Sequence, residues 1–97
     1  MRHFIITLDF KVPFETFGEA VPRHRAFLQT GFEQGLLLMS GPREPRTGGI
    51  VAARAESLEH LKAFFSKDPY KLEGLATHRF HEFTPVKAQE CVKTWIE

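Results

Sequence analysis

Of the five histidines in this chain, His24 is the one placed to do acid–base chemistry. In the segment VPRHRAFLQTGFEQG it falls with Phe27, Leu28, Gly31, Phe32 and Gly35 at the three-and-four spacing that lines one helical face, where another leucine would be expected. Arg23, Arg25, Gln29 and Glu33 fall elsewhere. An imidazole aimed inward needs a hydrogen-bond partner or must stay neutral, because an isolated buried charge is costly. Imidazole is also the side chain that takes and gives protons near neutral pH, so the group that faces His24 decides what the position can do.

The elements that must supply that group follow from periodicity. Phe4, Ile6, Leu8 and Phe10 alternate with His3, Thr7 and Asp9, the period of a strand with one buried face, and Pro13 ends it. A first helix is predicted over roughly 20 to 34, with Pro22 in its first turn and Gly35 at its C-terminal cap. Leu36 to Met39 is a short apolar run closed by Ser40-Gly41-Pro42, which predicts a second strand buried on both faces and ended by a turn. After the loop Arg43 to Gly48, Gly49 to Ala55 reads as strand three. Ser57 caps a second helix with the stripe Leu58, Leu61, Phe64 and Phe65, ending near Lys67. Asp68-Pro69-Tyr70 is another helix start, with Asp as cap and Pro at the first position, and a further turn runs to Gly74. Thr77 to Phe83 reads as strand four, closed by Pro85. In the tail over 87–97, Val92, Trp95 and Ile96 could form a small apolar patch on a terminal helix.

The order β-α-β-β-α-β is the ferredoxin-like split arrangement. It is an α+β domain over residues 1–86, with two helices on one face of a four-stranded antiparallel sheet. If strand one runs up, helix one runs down, strand two up, strand three down, helix two up and strand four down. One end of the sheet then collects Asp9 and Phe10, the start of helix one with His24, the Ser40-Gly41-Pro42 turn and the Asp68-Pro69-Tyr70 turn. His24 and Asp68, distant in sequence, are predicted neighbours. The other face of the sheet has no helix to cover its apolar residues, which predicts a homodimer packed sheet against sheet, one such site in each subunit.

Composition narrows the function classes. A chain of 97 residues with ten Phe is one domain, able to bury roughly 60–70% of its unfolded surface without metal or disulfide support. A net charge of +1 with acidic and basic residues interspersed, and no aromatic strand motif of the RNA-binding kind, argues against nucleic acid as a partner. The single Cys91 cannot pair within the chain, and MRHFIITLDFKV lacks a long apolar run and a small-residue cleavage site; both point to the cytoplasm. No stretch approaches the twenty or so apolar residues that span a bilayer. No organic cofactor is expected, since no GxGxxG or P-loop cradle is present. No metal is expected either. His78 and His81 are three apart on a strand and point to opposite faces, while His3 and His60 lie elsewhere, so these four read as surface or packing residues.

His24 with Phe27 and Leu28, the run Gly35-Leu36-Leu37-Leu38-Met39-Ser40-Gly41-Pro42, Gly48-Gly49, and Asp68-Pro69-Tyr70 followed by Gly74-Leu75 are also where the chain resembles the YciI-like, or YCII-related domain, proteins. The resemblance spans about residues 3 to 86. It implies a dimeric α/β barrel and a His-Asp dyad carried by His24 and Asp68. One characterised type in the family eliminates chloride from a chlorinated trihydroxybenzene, and the fold is similar to that of muconolactone isomerases. The sequence departs from the wider family in the loop Arg43-Glu44-Pro45-Arg46 and in the tail after Pro85.

A carboxylate bonded to one imidazole nitrogen fixes the tautomer and favours the protonated ring, so the other nitrogen can move a proton near neutral pH. That suits proton abstraction beside a carbonyl, or elimination; the plainer alternative is that the pair only ties two helix ends together. Ser40 and Gly41 could offer a hydroxyl and a backbone N–H to an oxyanion, although such a turn more often just ends a strand. No GxSxG elbow surrounds Ser40 to make it a nucleophile. Arg43 and Arg46 flank the expected mouth and could hold a substrate carboxylate, or be a solvated loop. Tyr70, Phe14 and Phe17 could wall a pocket or simply pack, with Tyr70 the strongest candidate. These residues together predict a small-molecule lyase or isomerase, with a non-catalytic ligand-binding or accessory dimer as the alternative.

Overall fold

Alternation in the first segment becomes β1 (Arg2–Phe10), which the computed structural model, describing residues 1–97, places inside a four-stranded sheet. It pairs antiparallel with β3 (Gly48–Ala55) on one side and β4 (Ala76–Phe83) on the other, and β2 (Leu37–Pro42) pairs antiparallel with β3 at the edge. Helices α1 (Ala20–Glu33) and α2 (Leu58–Phe65) and the single turn α3 (Pro69–Leu72) complete the ferredoxin-like α+β arrangement. Phe4, Ile6 and Leu8 from β1 meet Val51, Ala53 and Ala55 from β3 and Leu28, Leu61 and Phe65 from the helices in one core. Burying apolar side chains at roughly 25 cal/mol per Å² is the main force joining the layers.

Helix ends are set by local chemistry. At the end of α1, Gly35 takes φ +74°, the Leu36 N–H bonds the Gly31 carbonyl at 2.9 Å and the Gly35 N–H bonds that of Phe32 at 3.0 Å, the paired bonds of a Schellman motif. Ser57 Oγ accepts the His60 N–H at 3.1 Å to start α2, and Asp68 Oδ1 accepts the Tyr70 N–H at 2.9 Å to start α3, with Pro69 in the first position. The last cap puts an ionisable carboxylate at a fixed point against α1.

The second strand differs from the sequence expectation. It starts and ends later, and Ser40, Gly41 and Pro42 are strand residues opposite Val51, Ile50 and Gly49 rather than a closing turn. Nor is it buried on both faces, since Met39 is 59% exposed. The reason is position: an edge strand tolerates a proline at its end because no neighbour needs that N–H.

The sheet face away from the helices carries Ile5, Thr7, Ile50, Ala52, Arg54, Arg79 and Phe83 by register. The C-terminal segment returns to one end of that face through a short helix α4 (Lys93–Ile96). Arg54 donates to the Gly35 carbonyl at 2.9 Å and the Trp95 carbonyl at 3.0 Å, and its guanidinium lies 3.9 Å from the centre of the indole. No helix is long and apolar enough to cross a membrane.

Close approach of backbones fixes one residue type beside the site. A Cβ on Gly48 would lie 2.0 Å from the Leu8 carbonyl oxygen, so the first residue of β3 can only be glycine in this register. Gly48→Ala is expected to cost roughly 1–3 kcal/mol, seen in thermal unfolding as about 4–8 °C per kcal/mol. Gly41→Ala, whose Cβ would meet nothing within 4 Å, is the control and should leave the Tm close to that of the unaltered protein.

Candidate functional site

His24 sits in the second turn of α1, and the α3 cap brings Asp68 to it. His24 Nδ1 and Asp68 Oδ1 are 2.7 Å apart, with the carboxyl group fully buried. The Tyr70 ring stacks on the imidazole, centroids 3.7 Å apart and planes 6° from parallel. Arg23 on α1 and Glu73, just after α3, form an exposed ion pair beside it. A carboxylate accepting from Nδ1 leaves Nε2 of a neutral ring as the lone-pair nitrogen. That nitrogen has no protein partner, and the ring lines a cavity of about 220 Å³.

The cavity opens between the helix-bearing face of the sheet and the start of α1. Leu8, Leu28 and Val51 form its apolar floor, Phe10, Phe14 and Tyr70 its aromatic wall, and Ser40, Gly41 and Gly49 its strand side. Its cations are Arg25 and Arg46, and no acidic residue lines it. Phe14 belongs to a single 3-10 turn, Phe14–Thr16, and its ring stacks at 5.8 Å on that of Phe10. Phe17 is instead a core residue, edge-on to Tyr70 at 4.9 Å.

Two ionisable groups here depart from their ordinary behaviour. Burial of Asp68 works against its charge, but hydrogen bonds from His24, His78 and the Tyr70 N–H outweigh it and hold the carboxyl below the usual aspartate range. Burial, together with the Asp68 charge, pushes the Tyr70 hydroxyl above its usual value.

Of the residues singled out from sequence, His24, Ser40, Gly41 and Tyr70 share the cavity, and Asp68 lies directly behind His24. Arg46 lines the cavity as well, but Arg43 does not: its Nη1 donates to Asp9 Oδ1 at 3.1 Å and its Nη2 to the Thr47 carbonyl at 3.2 Å. Asp9, held below its usual range first by the Arg79 hydrogen bond and then by Arg43, anchors that loop to β1.

Sequence reasoning missed two residues. His78, read as a surface or packing residue, has its side chain turned out of solvent, 2% exposed, and donates from Nε2 to Asp68 Oδ2 at 2.8 Å. The signal was its place in β4, where it pairs with Leu8 and shares the helix-facing side with Phe80. Arg25 was set aside as lying off the apolar stripe, yet the cavity mouth reaches round α1 far enough to include it.

Comparison with known proteins gives the fold a context. The chain is similar to 5-chloro-2-hydroxyhydroquinone dehydrochlorinase (TftG) from Burkholderia phenoliruptrix AC1100, solved in complex with 2,5-dihydroxybenzoquinone. The TM-score is 0.64 at 17% identity, over 91% of this chain and 97% of that one. At that identity the likeness shows a shared fold. No curated protein matches the sequence. The YCII-related domain matches residues 1–84, and the chain therefore belongs to the YCII-related domain family.

Proposed function

We propose that the protein is a small cytoplasmic homodimeric enzyme of lyase or isomerase type, acting on a small anionic or phenolic metabolite with His24 as general acid/base and Asp68 orienting it. The observation that carries this reading is the division of labour on one imidazole: Nδ1 is committed to a buried carboxylate at 2.7 Å, while Nε2 is left without a protein partner on a ring that lines a cavity. In the proposed step Nε2 takes a proton from a carbon beside a carbonyl, or from a phenolic hydroxyl. The electron pair then moves into the oxygen-bearing system, or expels a leaving group.

The cavity's chemistry supports the substrate class. Arg25 and Arg46 without any acidic lining residue favour an anion, and Phe10, Phe14 and Tyr70 suit a planar ring. In this reading Ser40, Gly41 and Tyr70 contact the substrate, and Arg43 holds the loop that carries Arg46. TftG, of the same fold, is by name a dehydrochlorinase of a hydroquinone and was solved with a dihydroxybenzoquinone, which is consistent with a small oxygenated ring here. A thermal-shift screen of small carboxylates, lactones and phenols tests the proposal. A ligand at about a hundred times its Kd should stabilise the protein by about 2.7 kcal/mol, and His24→Ala should fold but lose that response. A wild type stabilised by none of them, with a His24→Ala chain that cannot fold, would favour the non-catalytic reading, in which Asp68 only ties α1, α3 and β4 together.

The dimer rests on the uncovered sheet face, where Met39, Ile50 and Phe83 remain 59%, 42% and 48% exposed. Sedimentation should give twice the 11.1 kDa chain mass, and Ile50→Glu should return it to monomer. The location rests on the lone exposed thiol of Cys91, which suits a reducing compartment.

A further inference from the structure

Asp68 serves two imidazoles. Its Oδ1 accepts from His24 Nδ1 at 2.7 Å and from the Tyr70 N–H at 2.9 Å, and its Oδ2 accepts from His78 Nε2 at 2.8 Å. The His78 side chain is 2% exposed and its ring lies 5.4 Å from that of Phe65. Its other nitrogen, Nδ1, is buried without any hydrogen-bond partner.

An orphaned buried polar atom costs stability, and a residue kept only for packing would be apolar, as the adjoining Phe65 and Phe80 are. What the imidazole offers at this position is therefore its Nε2–H bond to Oδ2. A protonated ring would bury an Nδ1–H with nothing to receive it, so the arrangement fits a neutral His78 with its proton on Nε2. Lys62, Lys71 and Arg79 line a cleft together with His78, and Asp68 is the anion that touches the ring. Around His24 stand Asp68 and Tyr70 at α3, Arg25 on its own helix and Arg46 from the loop.

We infer that His78 is a positioning residue for His24: by donating to Oδ2 it fixes the plane of the Asp68 carboxylate and takes a share of its charge. Oδ1 then receives the His24 Nδ1 proton as a hydrogen bond and leaves Nε2 bare toward the cavity. The inference rests on the reading of His24 as the acid/base, but the hydrogen bonds it invokes are measurable without a substrate.

Nitrogen-15 NMR of the labelled protein near neutral pH tests it. His24 is expected as the Nδ1–H tautomer and His78 as the Nε2–H tautomer; a cationic or Nδ1–H His78 would overturn the inference whatever any ligand screen finds. In His78→Leu, which fills the space without the donor, the His24 Nδ1 proton resonance should move downfield because the carboxylate, one donor poorer, is the stronger acceptor. In His78→Gln, whose amide N–H stands near the position of Nε2, it should return toward the wild-type place. An unmoved resonance in His78→Leu would assign the residue to packing. Should His78→Leu not fold, the wild-type tautomers and the His78→Gln spectrum decide, a glutamine variant lacking the bonded Nδ1–H signal counting against the role. If the tautomers hold while no ligand shifts the protein, the positioning stands and the enzymatic reading falls.

Discussion

Asp68→Ala is expected to lower stability by about 3–5 kcal/mol, a large share of the 5–15 kcal/mol typical of a domain. Three donors converge on this carboxylate: His24 Nδ1, His78 Nε2 and the Tyr70 N–H. Alanine would strand all three, two of them on buried rings, and remove the α3 cap. Urea unfolding near neutral pH checks this, and a loss below about 1 kcal/mol would mean that the bonds are replaced by water or never mattered.

The same carboxylate makes the effect depend on pH in a stated direction. In the folded protein its pKa is lowered, so its stabilising contribution is fully present above the unfolded aspartate value of about 3.9 and is lost as pH falls through the lower folded value. The stability gap between wild type and Asp68→Asn should accordingly be constant at neutral pH and close on strong acidification. A gap that widens in acid would reverse the assigned sign.

His24→Ala is expected to behave in the opposite way, with a large loss of turnover and a modest loss of fold. Removing a positioned general acid/base costs about 10²–10⁴-fold in rate, on whichever compound the screen yields. The fold should survive because His24 lines an existing cavity, and Asp68 keeps its bonds to His78 and to the Tyr70 N–H. The paired measurement is kcat beside the urea midpoint. A variant that retains turnover within a few-fold would remove His24 from the chemistry.

How much of this was legible in the chain differs from residue to residue. The His24–Asp68 pair could be foreseen because two independent local signals, an inward histidine on a helical stripe and an Asp-Pro helix start, are brought to the same end by the β-α-β-β-α-β order. The Gly35 cap was readable without any topology, since its bonds lie within six residues of sequence. Strand β2 was misread because Ser-Gly-Pro carries turn chemistry whose meaning changes at a sheet edge, and the edge is a property of the assembled sheet. His78 stayed hidden because its partner lies ten residues back across a packed helical turn, and alternation tells only which face it occupies. Arg43 was given to the substrate from its loop position, whereas the folded β1 presents Asp9 to it first.

The Arg54 clasp also has an optical side. Trp95 is the chain's one tryptophan, and its indole lies against a guanidinium at the border of the uncovered sheet face rather than in the phenylalanine-filled interior. Emission excited at the red edge therefore comes from that border alone. Its colour and quenching monitor whether the C-terminal segment is seated, and whether a second chain has come up beside it, with the interior silent.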